Sequence, residues 1–310
     1  MSRQPRVTVV GSYNTDLMFR TPRMPARGET ILGGPFFMGP GGKGANQAVA
    51  AARLGADTTM VVKLGQDIFG DQAVANLKKE NVRCDFVFRT AEASTGAASI
   101  IVDDEGENLI VVAPGANNLL TPEDVEAARA AIARCDVMLI QLEIPMETVR
   151  RAVLIAHEAG ARVVLNPAPG RALDAGLLDC VDVLTPNEIE AQIISGMPVQ
   201  CAQDAEPAAR KLLANGADAV VVTLGSEGAL VATSSAVRSA PGHKVQVLDT
   251  TGAGDAFSGA LAVALAEGQD LDHAVAFANA AAALQVTRVG AAPAMPYRCE
   301  LDLFIRDLVS

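Results

Sequence analysis

The stretch that decides the fold reads Asp249-Thr250-Thr251-Gly252-Ala253-Gly254-Asp255-Ala256-Phe257-Ser258-Gly259. It follows an alternating segment, 244–248, that predicts a strand, and it precedes an apolar segment, 260–265, that predicts a buried helix. Glycines at a helix start expose backbone N–H groups at the positive end of the helix dipole, which attracts phosphate. Asp255 would lie beside that anion. A carboxylate next to an anion loop is typical of phosphoryl transfer and not only of binding.

Outward from this stretch, predicted strands and helices alternate along the chain. The strands are 7–11, 58–62, 136–142, 162–166, 181–184 and 218–223, and the helices are 45–54, 70–80, 122–134, 146–159, 187–194 and 204–215. This alternation predicts an α/β fold of three layers, in which a mainly parallel sheet carries helices on both faces. The length of 310 residues suits one large domain, 1–310.

Two segments, about 12–40 and 94–113, interrupt the alternation. The second reads as two strands around the acidic turn 103–108, which predicts a hairpin. We expect both segments to form a small β-sheet lid on the α/β body. An exposed apolar face on that lid would invite pairing with a second lid.

Composition limits the partners. Lys and Arg number 25 against 36 Asp and Glu, and the net charge of −11 argues against a nucleic acid or an anionic membrane. The five cysteines show no CxxC spacing, which indicates a reducing, cytoplasmic location and no structural zinc site. The apolar segments are too short or too interrupted to span a bilayer, and we expect no signal peptide.

Polar residues after the early strands are candidate ligand groups. In the glycine-rich run 39–47, Lys43 is followed by Gly44 and not by Ser or Thr, so the run is not a P-loop. It is either a ligand-binding loop with Lys43 and Asn46 or a flexible loop before a helix. Asn14 and Asp16 suit sugar hydroxyls at a strand end, or they form a local turn.

Three later motifs leave similar alternatives. Glu143 at the end of a buried strand needs a partner, which is a ligand hydroxyl, a lysine or a salt bridge at the sheet rim. Asn187 and Glu190 have the spacing of a capping box, or they contact phosphate and order Mg²⁺ through water. The run 220–228 is a buried strand followed by a turn with glycine, which either binds a nucleotide or forms a hairpin.

Two motifs together resemble a known family. The segments 41–48 and 249–257 are similar to the two signatures of the phosphofructokinase-B (ribokinase-like) family of carbohydrate and nucleoside kinases, and the resemblance runs from about residue 7 to 305. Asn14, Asp16 and the segment 166–169 favour the members that act on ribose. The resemblance implies ATP-dependent phosphorylation of D-ribose at its 5-hydroxyl, with Mg²⁺, in ribose catabolism. It also implies a homodimer that forms through paired lids.

The resemblance also implies a role for each matching position. Asp255 would be the base, and the amides of Gly252, Ala253 and Gly254 would form an anion hole for the transferring phosphoryl group. The residues that would hold ribose are Asn14, Asp16, Gly42, Lys43, Asn46, Glu143 and Asp255. The residues that would line the ATP site are Asn187, Thr223, Gly225, Ser226, Gly228, Gly254 and Asn279, with Glu190 helping to place Mg²⁺ and phosphate.

A monovalent cation is a further implication of the resemblance. The ligands of K⁺ would be Asp249, Thr251, Gln285, Arg288 and Gly290, partly through their carbonyl groups. Four residues after that glycine, where the family often has a Ser hydroxyl, this chain has Ala294. One ligand oxygen is therefore missing or replaced by water, and we still expect activation by K⁺.

The alternatives to a ribose kinase fall into three classes. A kinase for fructose, deoxyribose, a nucleoside such as pseudouridine or a sugar phosphate would share the motifs. A sugar-phosphate kinase would need extra basic residues in the lid, and the segment 94–113 has none, which favours a neutral sugar. A non-catalytic sugar sensor is disfavoured by the intact Asp255 and its glycines. An NAD-dependent dehydrogenase is disfavoured because Phe257 stands where the dinucleotide fingerprint needs a third glycine.

Overall fold

The computed structural model of the chain describes residues 3–309. Within this range there are thirteen strands: β1 Arg6–Val10, β2 Asn14–Arg20, β3 Phe36–Gly41, β4 Asp57–Gly65, β5 Arg83–Thr90, β6 Gly96–Val102, β7 Asn108–Ala113, β8 Val137–Ile140, β9 Arg162–Leu165, β10 Val183–Leu184, β11 Ala219–Thr223, β12 Gly228–Thr233 and β13 Val237–Pro241.

The same range contains eleven α-helices. They are α1 Lys43–Arg53, α2 Ile68–Lys79, α3 Pro122–Ala127, α4 Arg129–Ile132, α5 Met146–Glu158, α6 Ala175–Leu178, α7 Glu188–Ser195, α8 Ala202–Ala214, α9 Ala253–Ala266, α10 Leu271–Gln285 and α11 Arg298–Val309. Helix α9 begins within the glycine loop, so Asp255 lies in its first turn as the sequence predicts.

The main sheet of the described residues has nine strands in the order β13-β12-β11-β10-β9-β8-β1-β4-β5. The strands from β11 to β5 pair in parallel, and β12 and β13 extend one edge as an antiparallel hairpin. The predicted α/β class with a mainly parallel sheet is confirmed.

Both faces of the main sheet are buried against helices. Successive residues of a strand point to opposite faces, so Val9 of β1 packs in one apolar cluster and Val10 in another. The first cluster contains Leu261 of α9, and the second contains Val153 of α5. This burial on both faces explains why the central strands read as continuous apolar runs.

A second, separate sheet of the described residues has four strands in the order β3-β2-β6-β7. Its strands come from the two segments that interrupt the alternation. Strand β2 begins at Asn14, directly after β1 and the short connection 11–13, so this sheet lies next to the end of a central strand. All six residues of β7 are exposed, and four of them are large and apolar.

The structure corrects two predictions of local structure and adds two strands. Residues 244–248 form no strand; they connect the edge strand β13 to the glycine loop, and Val247 and Leu248 are exposed. A segment with alternating apolar and polar residues forms a strand only where a neighbouring strand is available for pairing. The predicted helix 122–134 is two helices interrupted at Ala128, and strands β5 and β13 were not predicted.

Residues 3–309 include no helix with the length and apolar character that a bilayer crossing requires.

Candidate active site

The polar residues singled out in the sequence meet at one edge of the main sheet. Ser12 follows β1, Glu143 follows β8, Asn166 follows β9 and Asn187 follows β10, while Thr223 ends β11. These strands are parallel neighbours, so their carboxyl ends share an edge, which is where open α/β sheets bind ligands.

A cavity of about 220 Å³ opens at this edge. It is lined by Lys43, Asn166, Ala168, Thr185, Asn187, Glu190, Thr223, Thr250, Gly252, Ala253, Gly254, Asp255 and Ser258. A larger cavity, of about 290 Å³, has Arg6 and Asp57 in its lining and lies at the amino ends of β1 and β4. The larger cavity contains none of the predicted site residues, so we assign the chemistry to the smaller one.

The glycine loop forms the start of α9. Gly252 is the residue before the helix and has φ of +84°, a conformation that favours glycine. A Cβ atom there would also lie 3.0 Å from the Cα atom of Ala291. The first turn of a helix leaves N–H groups without intrahelical partners, and here that turn faces the cavity. The loop can therefore donate to an anion.

The carboxylate of Asp255 is buried and held from two sides. Its Oδ2 accepts a hydrogen bond of 2.8 Å from Nδ2 of Asn46, and its Oδ1 accepts one of 2.9 Å from Nε2 of Gln47. Both donors lie on α1, which packs against α9. Asp255 is therefore fixed in orientation beside the N–H groups of the glycine loop.

Gln47, the last residue of the glycine-rich run 39–47, is a further site residue, to which the sequence pattern assigned no role. Its Nε2 also donates to Oδ1 of Asn166 at 3.1 Å, and its Oε1 accepts from Nε2 of Gln141. Gln47 and Gln141 are fully buried. A fully buried glutamine side chain needs hydrogen-bond partners, and Gln47 has them in the site. The position of Gln47 directly after the predicted ligand Asn46 is the signal that could have identified it from the sequence.

Lys43 supplies positive charge to a group of carboxylates. Burial alone would lower the pKa of its ammonium group, but the charges of Asp255, Glu143 and Glu190 outweigh that effect and raise the pKa. Lys43 is therefore charged, and it is placed to attract an anionic ligand in the cavity.

Asn14 and Asp16 lie on β2, at the side of the site that faces the small sheet. Oδ1 of Asn14 accepts a hydrogen bond of 2.9 Å from Nδ2 of Asn117, which leaves the Asn14 amide N–H groups for a ligand. Burial, followed by the charges of Glu143 and Asp255, raises the pKa of Asp16 to about 7. A Cβ atom at Gly41 would lie 2.2 Å from the Asp16 carboxylate, so only glycine leaves space there.

Glu143 has local partners in the described residues. Its Oε2 accepts from the hydroxyl of Ser12 and, at 3.1 Å, from the backbone N–H of Lys43. Glu143 therefore also fixes the start of α1. Gly42, another predicted sugar ligand, is the residue directly before α1, and its φ of +86° is a conformation that favours glycine.

Asn187 and Glu190 form the capping box of α7. The Glu190 N–H donates to Oδ1 of Asn187 at 2.8 Å, and the Asn187 N–H donates to Oε2 of Glu190 at 2.9 Å. Both side chains also line the cavity. Burial raises the pKa of Glu190 above its usual range, whereas the charge of Lys43 opposes the rise.

A magnesium ion fits this donor set only as a partner of the nucleotide. Residues 3–309 contain no group of three His, Cys, Asp or Glu side chains that could hold a metal. Mg²⁺ commonly keeps several waters and binds through one or two carboxylates together with substrate phosphates. Glu190 has one carboxylate oxygen outside the capping box and is suited to such a contact.

The remaining predicted nucleotide residues lie beside the β11–β12–β13 hairpins. Gly225 and Ser226 are exposed in the turn after β11, and Gly228 begins β12 with φ of +94°. Nδ2 of Asn279, on α10, donates to the carbonyl groups of Ala240 and Pro241 at 3.1 and 3.3 Å. The hairpin is present, and nucleotide binding there stays a prediction.

Four of the five predicted K⁺ ligands do converge. The Asp249 carboxylate accepts from the N–H groups of Thr251 and Gly290, at 2.9 and 2.8 Å. However, the carbonyl groups of Thr251 and Gly290 already accept from Nε2 of Gln285, at 2.7 and 3.0 Å. Arg288 could be a ligand only through its carbonyl group, because its guanidinium is cationic and pairs with Glu300. This donor set, as it stands, does not fit a cation.

Known proteins resemble this chain in sequence and in fold. Residues 4–298 match the model of the pfkB family carbohydrate kinases. The chain is 42% identical to ribokinase from Mus musculus, over 96% of this chain and 94% of the relative. It is 38% identical to deoxyribokinase from Salmonella typhi, over 94% of this chain and 95% of the relative. Ribokinase from Arabidopsis thaliana, solved with ribose and ATP, superposes with a TM-score of 0.90 at 33% identity, over 98% of this chain and 99% of that one.

Proposed function

This chain belongs to the pfkB family of carbohydrate kinases, and from that premise we propose that it transfers the γ-phosphoryl group of ATP to the 5-hydroxyl of D-ribose. The observation that carries the proposal is the position of Asp255. Its buried carboxylate is held by Asn46 and Gln47 beside the glycine loop, in a cavity that also contains Lys43. A base, an anion loop and a cation are the parts that phosphoryl transfer needs.

Each group has a proposed role in the reaction. Asn14, Asp16 and Glu143 would hold the sugar hydroxyls, and Asp255 would accept the proton of the 5-hydroxyl. The N–H groups of Gly252 to Gly254 would stabilise the charge that spreads over the phosphoryl oxygens, because preorganised donors lower the transition-state energy without reorganising. Lys43 would add its charge to the same region.

Magnesium would enter with the nucleotide and neutralise phosphate charge, with Glu190 as its contact through water. The four-stranded sheet carries Asn14 and Asp16, so its movement would open and close the sugar side of the site. Closure would exclude water and limit ATP hydrolysis. A cytoplasmic location stays a prediction.

The acceptor decides between two candidate functions. The relatives include a deoxyribokinase as well as ribokinases, so 2-deoxyribose is the second candidate. A coupled ADP-release assay should compare D-ribose, 2-deoxyribose, fructose and pseudouridine with Mg·ATP. We expect the highest kcat/KM with D-ribose. A preference for 2-deoxyribose would keep the mechanism and replace the substrate, and ribose binding without turnover of any acceptor would indicate a sensor.

Ribose binding should weaken in acid because of Asp16. Its pKa is about 7, and ribose hydroxyls donate to the ionised form, so only the ionised fraction is competent to bind. The dissociation constant of ribose should therefore rise about tenfold from pH 8 to pH 6. Isothermal titration calorimetry measures it, and Asp16→Asn should bind more weakly but with little pH dependence. A wild-type constant that is level from pH 8 to pH 6 would contradict the role of Asp16.

The small sheet is our proposed dimer interface. Phe19, Phe36, Phe37 and Met38 are exposed on it together with β7, a larger apolar surface than scattered single residues make. We expect a mass of twice 32.0 kDa in light scattering. Ile110→Lys should give the mass of one chain, because a charge would be buried at the interface.

The control for the dimer is Ile68→Lys. Ile68 is 78% exposed at the start of α2, outside the small sheet, so this variant should stay dimeric. A wild-type protein that is monomeric at micromolar concentration would remove the interface from the proposal without affecting the proposed reaction.

A further inference from the structure

Gln285 has an unusual position for a fully buried polar side chain. It is the last residue of α10, and its Nε2 lies between two backbone carbonyl groups from different loops, 2.7 Å from Thr251 and 3.0 Å from Gly290. Only the NH₂ end of the amide can satisfy two carbonyl acceptors, because the oxygen end has no hydrogen to donate. The amide orientation is therefore fixed by its partners.

The two loops that Gln285 joins form a concentration of oxygen atoms. The carbonyl groups of Thr251 and Gly290 lie together there with the Asp249 carboxylate. Such a set of hard oxygens would attract a cation. Here the partly positive NH₂ group already satisfies both carbonyl groups.

The oxygens of the Asp249 carboxylate have donors from the chain as well. Its Oδ1 accepts from the backbone N–H of Thr251 at 2.9 Å, and its Oδ2 accepts from the backbone N–H of Gly290 at 2.8 Å. Each carboxylate oxygen therefore has a donor from one of the two loops that Gln285 joins.

We propose that the Gln285 amide takes the place of a monovalent cation, holding Thr251 and Gly290 together so that the glycine loop keeps its position without K⁺. Thr251 directly precedes Gly252, so this bridge fixes the residue that leads into the anion loop. A cation would have to displace the amide and leave its N–H groups buried without acceptors, which is costly. The proposal is the opposite of the K⁺ activation that the resemblance implies.

The Gln285 Oε1 atom lies at the other end of the same amide. It is buried, and among residues 3–309 it has no hydrogen-bond partner. The amide thus loses one of its own hydrogen bonds while it makes two to the carbonyl groups. This arrangement is favourable only if the two carbonyl groups need a partner that carries positive charge. A bound cation would be such a partner, and here the amide NH₂ group is.

The test compares unfolding temperatures in potassium chloride and in choline chloride at the same ionic strength, without substrate. For the wild type we expect the same Tm in both salts and no saturable heat on titration with K⁺. Gln285→Ala should lower Tm in choline chloride by about 2–4 °C, because two buried carbonyl groups lose their donor. Potassium should restore part of that loss by binding in the opened site.

The matched control is Gln192→Ala. Gln192 lies on α7, and its Oε1 accepts from the N–H of Val199 at 3.2 Å, so this variant also removes a bond between a glutamine and the backbone. Its Tm should change equally in both salts. Saturable K⁺ binding by the wild type would overturn the proposal, even if Gln285→Ala does not fold.

A folded Gln285→Ala protein with the same Tm in potassium chloride and in choline chloride would overturn the proposal too. The oxygen atoms of Thr251, Gly290 and Asp249 would then not form a cation site. Gln285→Glu gives a second test, since a carboxylate facing two carbonyl groups should make stability strongly dependent on K⁺. These readouts do not involve turnover, so they are independent of whether ribose is the acceptor.

Discussion

Asp255→Asn is expected to lower kcat by about 10²–10⁴-fold while the KM for ribose changes little. The substitution keeps the shape of the side chain but removes the group that would accept the proton of the 5-hydroxyl. It also places an NH₂ group opposite Asn46 or Gln47, so one of those donors loses its acceptor. Steady-state kinetics gives kcat and KM, and Tm gives the cost of the lost hydrogen bond separately.

Asp272→Asn is the matched control for Asp255. Asp272 is also an acidic residue in the first turn of a helix, α10. Unlike Asp255, it is exposed, and it pairs with Arg238. Its neutral variant should retain wild-type turnover. If Asp255→Asn turned over near the wild-type rate, Asp255 would be only a favourable charge at a helix start, and the assignment of the base would be withdrawn.

Lys43→Gln is expected to have the second largest effect, a loss on the order of 10²–10³ in kcat. Lys43 is the cation that the charges of Asp255, Glu143 and Glu190 keep protonated. Without it, the cavity would hold carboxylates alone and would repel the phosphate groups of ATP. Steady-state kinetics with varied Mg·ATP should show the loss in kcat and a raised KM for ATP.

The pH profile distinguishes this electrostatic role from a structural one. The charge of Lys43 opposes the rise in the pKa of Glu190, so in Lys43→Gln that pKa should rise further. The acidic limb of the pH–rate profile should move to higher pH. Lys63→Gln is the control, because Lys63 is also largely buried and pairs with Asp124 at 2.6 Å outside the cavity. Equal losses in both variants would show that Lys43 acts through folding.

Local patterns were sufficient for much of the fold. The alternation of buried strands and helices predicted the parallel sheet, and the glycines before Asp255 predicted a helix start, which α9 confirms. Both depend on residues close in sequence, where periodicity and capping rules apply. The segment 244–248 shows the limit, because its alternation was not accompanied by a strand to pair with.

Contacts between distant residues could not be predicted from those patterns. Gln47 contacts Asp255, 208 positions further along the chain, and Asn117 orients Asn14 from 103 positions away. Gln285 was assigned by resemblance as a K⁺ ligand, yet its amide bonds the carbonyl groups expected to hold the ion. Side-chain orientation in a buried site depends on all neighbours at the same time, and these come from separate segments.

The sequence by itself determined the fold class, most of the order of its elements and the glycine loop that leads into the helix of Asp255, because each depends on local propensity and periodicity. The tertiary structure decided which groups share the site: it raised the pKa of Asp16 to about 7 by burying it near Glu143 and Asp255, and it fixed Asp255 between two donors of α1. Burial and charge proximity are properties of the packed chain, and they arise only when the ends of parallel strands come together.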